Sequence, residues 1–191
     1  MAQSFNAPLK LDLSKGSIIK FGPAAGSAVA LFGFLITALG FVLPWLKSGD
    51  PNITLSGLEL LTKTGDNLGK ESIAMVARGS SFNALICNLP FFLCGAFLVS
   101  LFVIVFTFVK KAPALIKLYG PIALSLLGLF SCCPSVLFFM DLQKGMWDQG
   151  NVKIQFGFYI AVFGIAVIIL GGIGGIVAAV AGGALPKRNR S

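Results

Sequence analysis

The sequence predicts an all-α integral membrane protein, a four-transmembrane-helix bundle with both termini in the cytoplasm. Three observations carry this reading. First, the chain is 56% hydrophobic, with a mean hydropathy of +0.90 over 191 residues, more apolar than a soluble domain of that size. Second, four apolar stretches run over 22–46, 84–109, 114–140 and 155–185, and each is long enough for the roughly 20 residues that cross a bilayer. Third, the charge is one-sided. The N-terminal segment, the link before and into the third stretch, and the tail hold nine Lys or Arg and one acid, while the two other loops hold six bases and six acids. The whole net charge of +8 therefore sits on one face, which the positive-inside rule places in the cytoplasm.

Residues 1–21 form a cytoplasmic arm, and "LKLDLSKGSIIKF" alternates apolar and basic residues as a surface-lying segment does. The first span, 22–46, is longer than a signal-peptide core and ends in Pro44 and Trp45 rather than at a small-residue cleavage site. Trp45 is expected at the membrane–water interface. The outer loop 47–83 is the largest soluble part. Within it "NITLSGLELL" reads as a short strand or a surface turn, "TKTGDNLGKES" as turns, and "KESIAMVARGSS" as a short amphipathic helix. Asn52-Ile53-Thr54 matches the glycosylation triplet. The second span, 84–109, is rich in Phe and contains Pro90. The turn 110–113 is short, so the second and third spans form an antiparallel hairpin. Pro121 and Pro134 are possible kink points in the third span, 114–140. The loop 141–154 carries Trp147, a second expected interface anchor, and the fourth span, 155–185, ends in the basic tail 186–191.

Small residues recur every seven positions in two spans: Gly26, Gly33 and Gly40 in the first, and Gly157, Gly164, Gly171 and Ala178 in the fourth. Seven residues is close to two helical turns, so each set forms one stripe. In lipid, helices associate by close packing, which small residues permit. The first and fourth spans are therefore expected to meet along these stripes with their Phe side chains outward. "FGFLITALG" at 32–40 parallels "FGFYIAVFG" at 156–164. In the fourth span Gly171, Gly175, Ala179 and Gly183 also recur every four residues, a second small face that suits a second neighbour, inside the chain or in another protein.

Sites for chemistry are scarce. The chain has no His, and no Asp, Glu, Lys or Arg lies within the apolar cores of the spans. This weighs against proton relays, voltage sensing and acid–base catalysis. No catalytic residue and no metal ligand set is expected. The candidates for a polar or thiol cluster are Cys87, Asn88, Cys94, Cys132 and Cys133, all in the outer half of the second and third spans. The plainer reading of the cysteines is as small hydrophobes. The basic flanks explain the sequence pI of about 9.6 through orientation and attraction to anionic lipid, so nucleic acid is not an expected partner.

The four spans, with a larger first and smaller second outer loop, resemble the topology of the claudin and peripheral-myelin tetraspan families. Those families' Trp-Gly-Leu-Trp stretch and cysteine pair are missing from this outer loop. Leu43-Pro44-Trp45 followed by Ser56-Gly57-Leu58 is similar to uncharacterised bacterial four-pass membrane proteins. That resemblance implies the bacterial inner membrane and no activity. The expected function is a non-catalytic accessory or scaffolding subunit of a larger membrane assembly, of respiratory or photosynthetic type. The alternative is a homo-oligomeric channel or small-molecule transporter with Thr37, Asn88, Ser100, Ser125 and Ser131 as its polar line. No cofactor is predicted. Bound lipid is expected, and the Phe-rich surface suits pigment or quinone contact. The expected partners are lipids and other integral subunits or further copies of the chain.

Overall fold

The structure is a computed structural model that describes residues 15–48, 54–62, 80–108, 114–149 and 152–181. Helices dominate: α1 (Lys15–Val42), α2 (Gly57–Thr62), α3 (Ser80–Phe108), α4 (Ala114–Gln149) and α5 (Phe156–Ala181). Four of them, all but α2, are long and apolar enough to cross a membrane.

Side-chain pairs fix the bundle's order and direction. Phe34 meets Phe97 and Phe21 meets Phe108, so α1 and α3 are antiparallel. Phe92 stacks on Phe130 between α3 and α4, and Phe139 on Phe158 between α4 and α5. The most extensive contact, α1 with α5, closes the ring. The result is an up-down-up-down bundle in which each spanning helix packs on its sequence neighbour and the last returns to the first.

Several boundaries differ from the sequence reading. Helix α1 begins at Lys15, inside the expected arm, and stops at Val42, short of 46. Pro44 sets that stop, because a residue before proline is pushed out of the helical region. Leu43 N–H donates to Leu39 O at 3.3 Å, close to the end of the ladder. Helix α4 runs on to Gln149 through most of the expected loop 141–154. "DLQKGMWDQ" contains Leu, Gln, Lys and Met, which favour helix, and no proline. Trp147 thus lies on a helix, with its side chain outside the described residues. Pro121 and Pro134 do not break α4. The expected short helix within 70–81 and the glycosylation triplet's Asn52 and Ile53 fall outside the described residues, apart from the start of α3.

A small sheet adds to the all-α expectation. Strands β1 (Pro44–Ser48), β2 (Thr54–Ser56) and β3 (Val152–Ile154) form an antiparallel sheet in the order β2-β1-β3. It ties the segment after α1 to the segment before α5 at one end of the bundle. Alternation along a strand puts neighbours on opposite faces. Here the register shifts between Pro44 and Leu46, so Trp45 is the extra residue of a bulge, and Trp45 and Leu46 are both buried.

Helix α2 starts with a capping box. Ser56 N–H donates to Glu59 Oε2 at 2.8 Å, and Glu59 N–H donates to Ser56 Oγ at 3.2 Å. Ser56→Ala should cost about 1 kcal/mol locally. The measurement is deuterium uptake over 57–62, which should rise while the melting of the whole bundle barely moves.

Candidate functional site: a glycine seam and a tryptophan cap

The α1–α5 contact is backbone against backbone. A Cβ added at Gly26 would lie 2.5 Å from Gly171 O and 2.7 Å from Gly175 N. At Gly33 it would lie 2.7 Å from Gly164 O, and at Gly40 2.5 Å from Ala161 N. The opposite helix is equally tight: Gly164 faces Thr37 N at 2.5 Å, Gly171 faces Ala30 N at 2.6 Å, and Gly157 faces Pro44 O at 2.6 Å. Ala178 meets Gly22 at the far end. Residue numbers rise along one helix as they fall along the other, so the two seven-residue stripes interleave head to tail.

The phenylalanines divide. Phe32, Phe156 and Phe163 are exposed, as expected for a seam with its rings outward. Phe41 and Phe158 are instead buried, and both pack on Trp45.

The other small face of α5 is occupied within the chain. A side chain on Gly172 would strike Ser125 Oγ and lie 2.7 Å from Ser125 N on α4, and one on Gly175 would lie 2.9 Å from Pro121 Cβ. Gly128 of α4 receives Ile169 in return. The four-residue stripe pointed at Gly171 and Gly175, whereas the residue that seats α4 most closely is Gly172, one position round the helix. Its signal was the doubling of glycines in "GGIGG", which supplies two adjacent small faces. Ala179 is buried, and Gly183 lies outside the described residues.

Thr37 sits wholly buried in the seam. Its hydroxyl donates to Gly33 O at 2.9 Å, with a longer approach of 3.4 Å to Ala161 O on α5. Ser100, Ser125 and Ser131 likewise donate to the carbonyl four residues back, at 2.7, 3.1 and 2.8 Å. Thr107 and Ser135 do the same. These hydroxyls spend their protons on their own helices rather than on a shared polar track. Thr37→Val should therefore cost about 1 kcal/mol or less, since interhelical hydrogen bonds in membranes are worth about 0.6 kcal/mol on average. Thermal melting in mild detergent measures it.

The thiols are dispersed in character. Cys94 and Cys133 are exposed, and Cys132 is half-buried against the apolar core. The side chains of Cys87 and Asn88 lie outside the described residues. Among the described residues no three His, Cys, Asp or Glu stand close enough to hold a metal.

Trp45 is not an interface anchor. It is 2% exposed and closes the seam from the sheet side. The indole packs 4.7 Å from the Phe41 ring and edge-on to Phe158 at 5.3 Å. Its Nε1–H donates to Gly40 O at 2.8 Å. In a continuing helix Gly40 O would accept from residue 44, but proline has no N–H. Trp45 supplies the donor that Pro44 lacks. Its own carbonyl accepts from Gln155 N–H at 2.8 Å, just before α5. Gly57 lies against the indole, where a Cβ would be 2.5 Å from Trp45 Cε2. Pro44 pairs with Ser56 in the sheet. The phrases Leu43-Pro44-Trp45 and Ser56-Gly57-Leu58 thus meet in space. Compared with known protein families, curated proteins and solved structures, the chain finds no match.

Proposed function

We propose that this chain is a non-catalytic accessory or scaffolding subunit of a larger assembly in the bacterial inner membrane, with both termini cytoplasmic. The observation that carries the reading is the closed interior. The α1–α5 and α4–α5 contacts leave no room for added side chains at their glycines, and the buried hydroxyls of Thr37, Ser100, Ser125 and Ser131 are bonded to their own helices. A solute path needs polar groups turned to a common lumen. A scaffold needs a rigid body and an outer surface for neighbours. Here Phe32, Leu35 and Leu39 of α1 and Phe163, Leu170 and Val177 of α5 face outward. Lipid tails, pigment or quinone tails and the helices of other subunits all suit that surface.

The test is purification of the tagged full chain from its native membrane in gentle detergent, with mass spectrometry and an absorption spectrum of the eluate. Stoichiometric recovery of other integral subunits, with or without a pigment band, is the expected result. Recovery alone or as a homo-oligomer, with solute flux in liposomes, would overturn it in favour of a channel or transporter.

A further inference from the structure

One concave feature belongs to neither the seam nor the cap. A groove of about 320 Å³ lies between α3 and α4 toward the end of the bundle where α3 stops and α4 begins. Its walls are Val99 and Phe102 of α3 and Ile116 and Ala123 of α4. Its floor forms where Gly120 abuts Val103, so that a Cβ on Gly120 would meet the Val103 side chain. Tyr119 stands at its lip, 58% exposed. The volume is at the lower end of the roughly 300–1,000 Å³ of small-molecule sites. Ile116 to Ala123 spans about 10 Å of helix, at 1.5 Å per residue.

We propose that this groove holds an acyl chain of an anionic phospholipid, with the headgroup at the start of α4. Both helices that wall the groove are long and apolar enough to span a bilayer, so the groove opens onto hydrocarbon, and its lining is apolar apart from the Tyr119 hydroxyl. Charge selects the headgroup. Lys117 is half-buried one residue from the groove lining, and the sequence has no acid between Glu71 and Asp141. Lys15 and Lys20 lie on the first turns of α1, at the same end of the bundle, where Phe21 meets Phe108. The first N–H groups of α4, from Ala114, also favour an anion there. Basic pockets between membrane helices recognise anionic headgroups, and each lysine near the surface contributes to that attraction. A phenol at the lip suits the depth where apolar tail gives way to headgroup.

The test uses the full chain in lipid nanodiscs and native mass spectrometry, with phosphatidylglycerol and phosphatidylcholine as probes. Phosphatidylglycerol should remain bound after phosphatidylcholine is stripped. Ala123→Phe, which fills the groove, should cut retention of phosphatidylglycerol at least tenfold. Lys117→Gln should lower the preference for phosphatidylglycerol about fivefold while leaving retention of phosphatidylcholine unchanged. Lys117 is not part of the packed interior, so its variant tests the proposal even if Ala123→Phe fails to fold. Equal retention of the two lipids by the unaltered chain, or phosphatidylglycerol retention unmoved by Lys117→Gln, would overturn the proposal.

Discussion

Gly33→Val and Gly164→Val should each destabilise the bundle by about 3 kcal/mol or more, at or above the upper end of what overpacking usually costs. The reason is what the new atoms meet. A Cβ on Gly33 falls 2.7 Å from Gly164 O and 2.8 Å from Ile168 N, and one on Gly164 falls 2.5 Å from Thr37 N. Side chains can rotate away from an intruder, but helical backbone cannot without parting the helices. The two helices would separate by the depth of a side chain, and the dispersion contacts along the whole seam would weaken together. No hydrophobic force in the bilayer restores them, because lipid solvates the parted faces as well as the partner does. A lower melting temperature in detergent, with loss of the monodisperse species on size exclusion, is the expected observation. Gly174→Ala is the matched control. Nothing lies within 4 Å of a Cβ at Gly174, so this change should be neutral or stabilise by up to about 1 kcal/mol through helix propensity. Gly33→Val melting with the unaltered chain would show that the seam does not hold the bundle.

The spans were legible in the sequence because hydrophobic length and the absence of charge are local properties. The seven-residue glycine stripes were legible for a related reason, since the period of a helix converts spacing into a face. The register that interleaves Gly26 with Gly171 and Gly175, and Gly40 with Ala161, was not legible in this way, because two seven-residue stripes fit equally well when slid by seven. The cap was not legible in the same way. Trp45 after a proline has the signature of an interface residue, and nothing local shows that a bulge turns it inward. The strands are three to five residues long, too short for alternation to be recognised, and β3 pairs with β1 across more than a hundred residues of chain. The Ser56–Glu59 capping box has the spacing of a helix start, but the helix it opens is only six residues long, too short for apolar periodicity to tell it from a turn. Gly172 was hidden by its neighbours, because a block so rich in glycine offers small faces in several directions and only the position of α4 selects among them.

Trp45→Ala should cost about 3–5 kcal/mol, the range for removing a large aromatic side chain from a core. The indole touches the end of α1 through Phe41, the start of α5 through Phe158, and the start of α2 through Gly57. Removing it leaves a void where all three meet and strips Gly40 O of its donor. Trp45→Phe separates the two effects. It keeps an aromatic ring in the cap but loses the 2.8 Å bond from Nε1–H to Gly40 O, together with part of the indole surface that packs on Gly57. With Pro44 next in line that carbonyl has no replacement from the helix ladder, so the cost is that of an orphaned buried acceptor, about 1–3 kcal/mol. The expected order in thermal melting is unaltered chain, then Trp45→Phe, then Trp45→Ala, with Trp45→Ala also raising deuterium uptake over 44–48 and 152–154. Equal melting of Trp45→Phe and the unaltered chain would mean that the indole acts by volume alone and that Gly40 O is satisfied from elsewhere. A Trp45→Ala protein as stable as the unaltered chain would mean that the sheet is held by its strand pairing without the cap. In that case the meeting of Leu43-Pro44-Trp45 with Ser56-Gly57-Leu58 would serve a partner on that face rather than the fold.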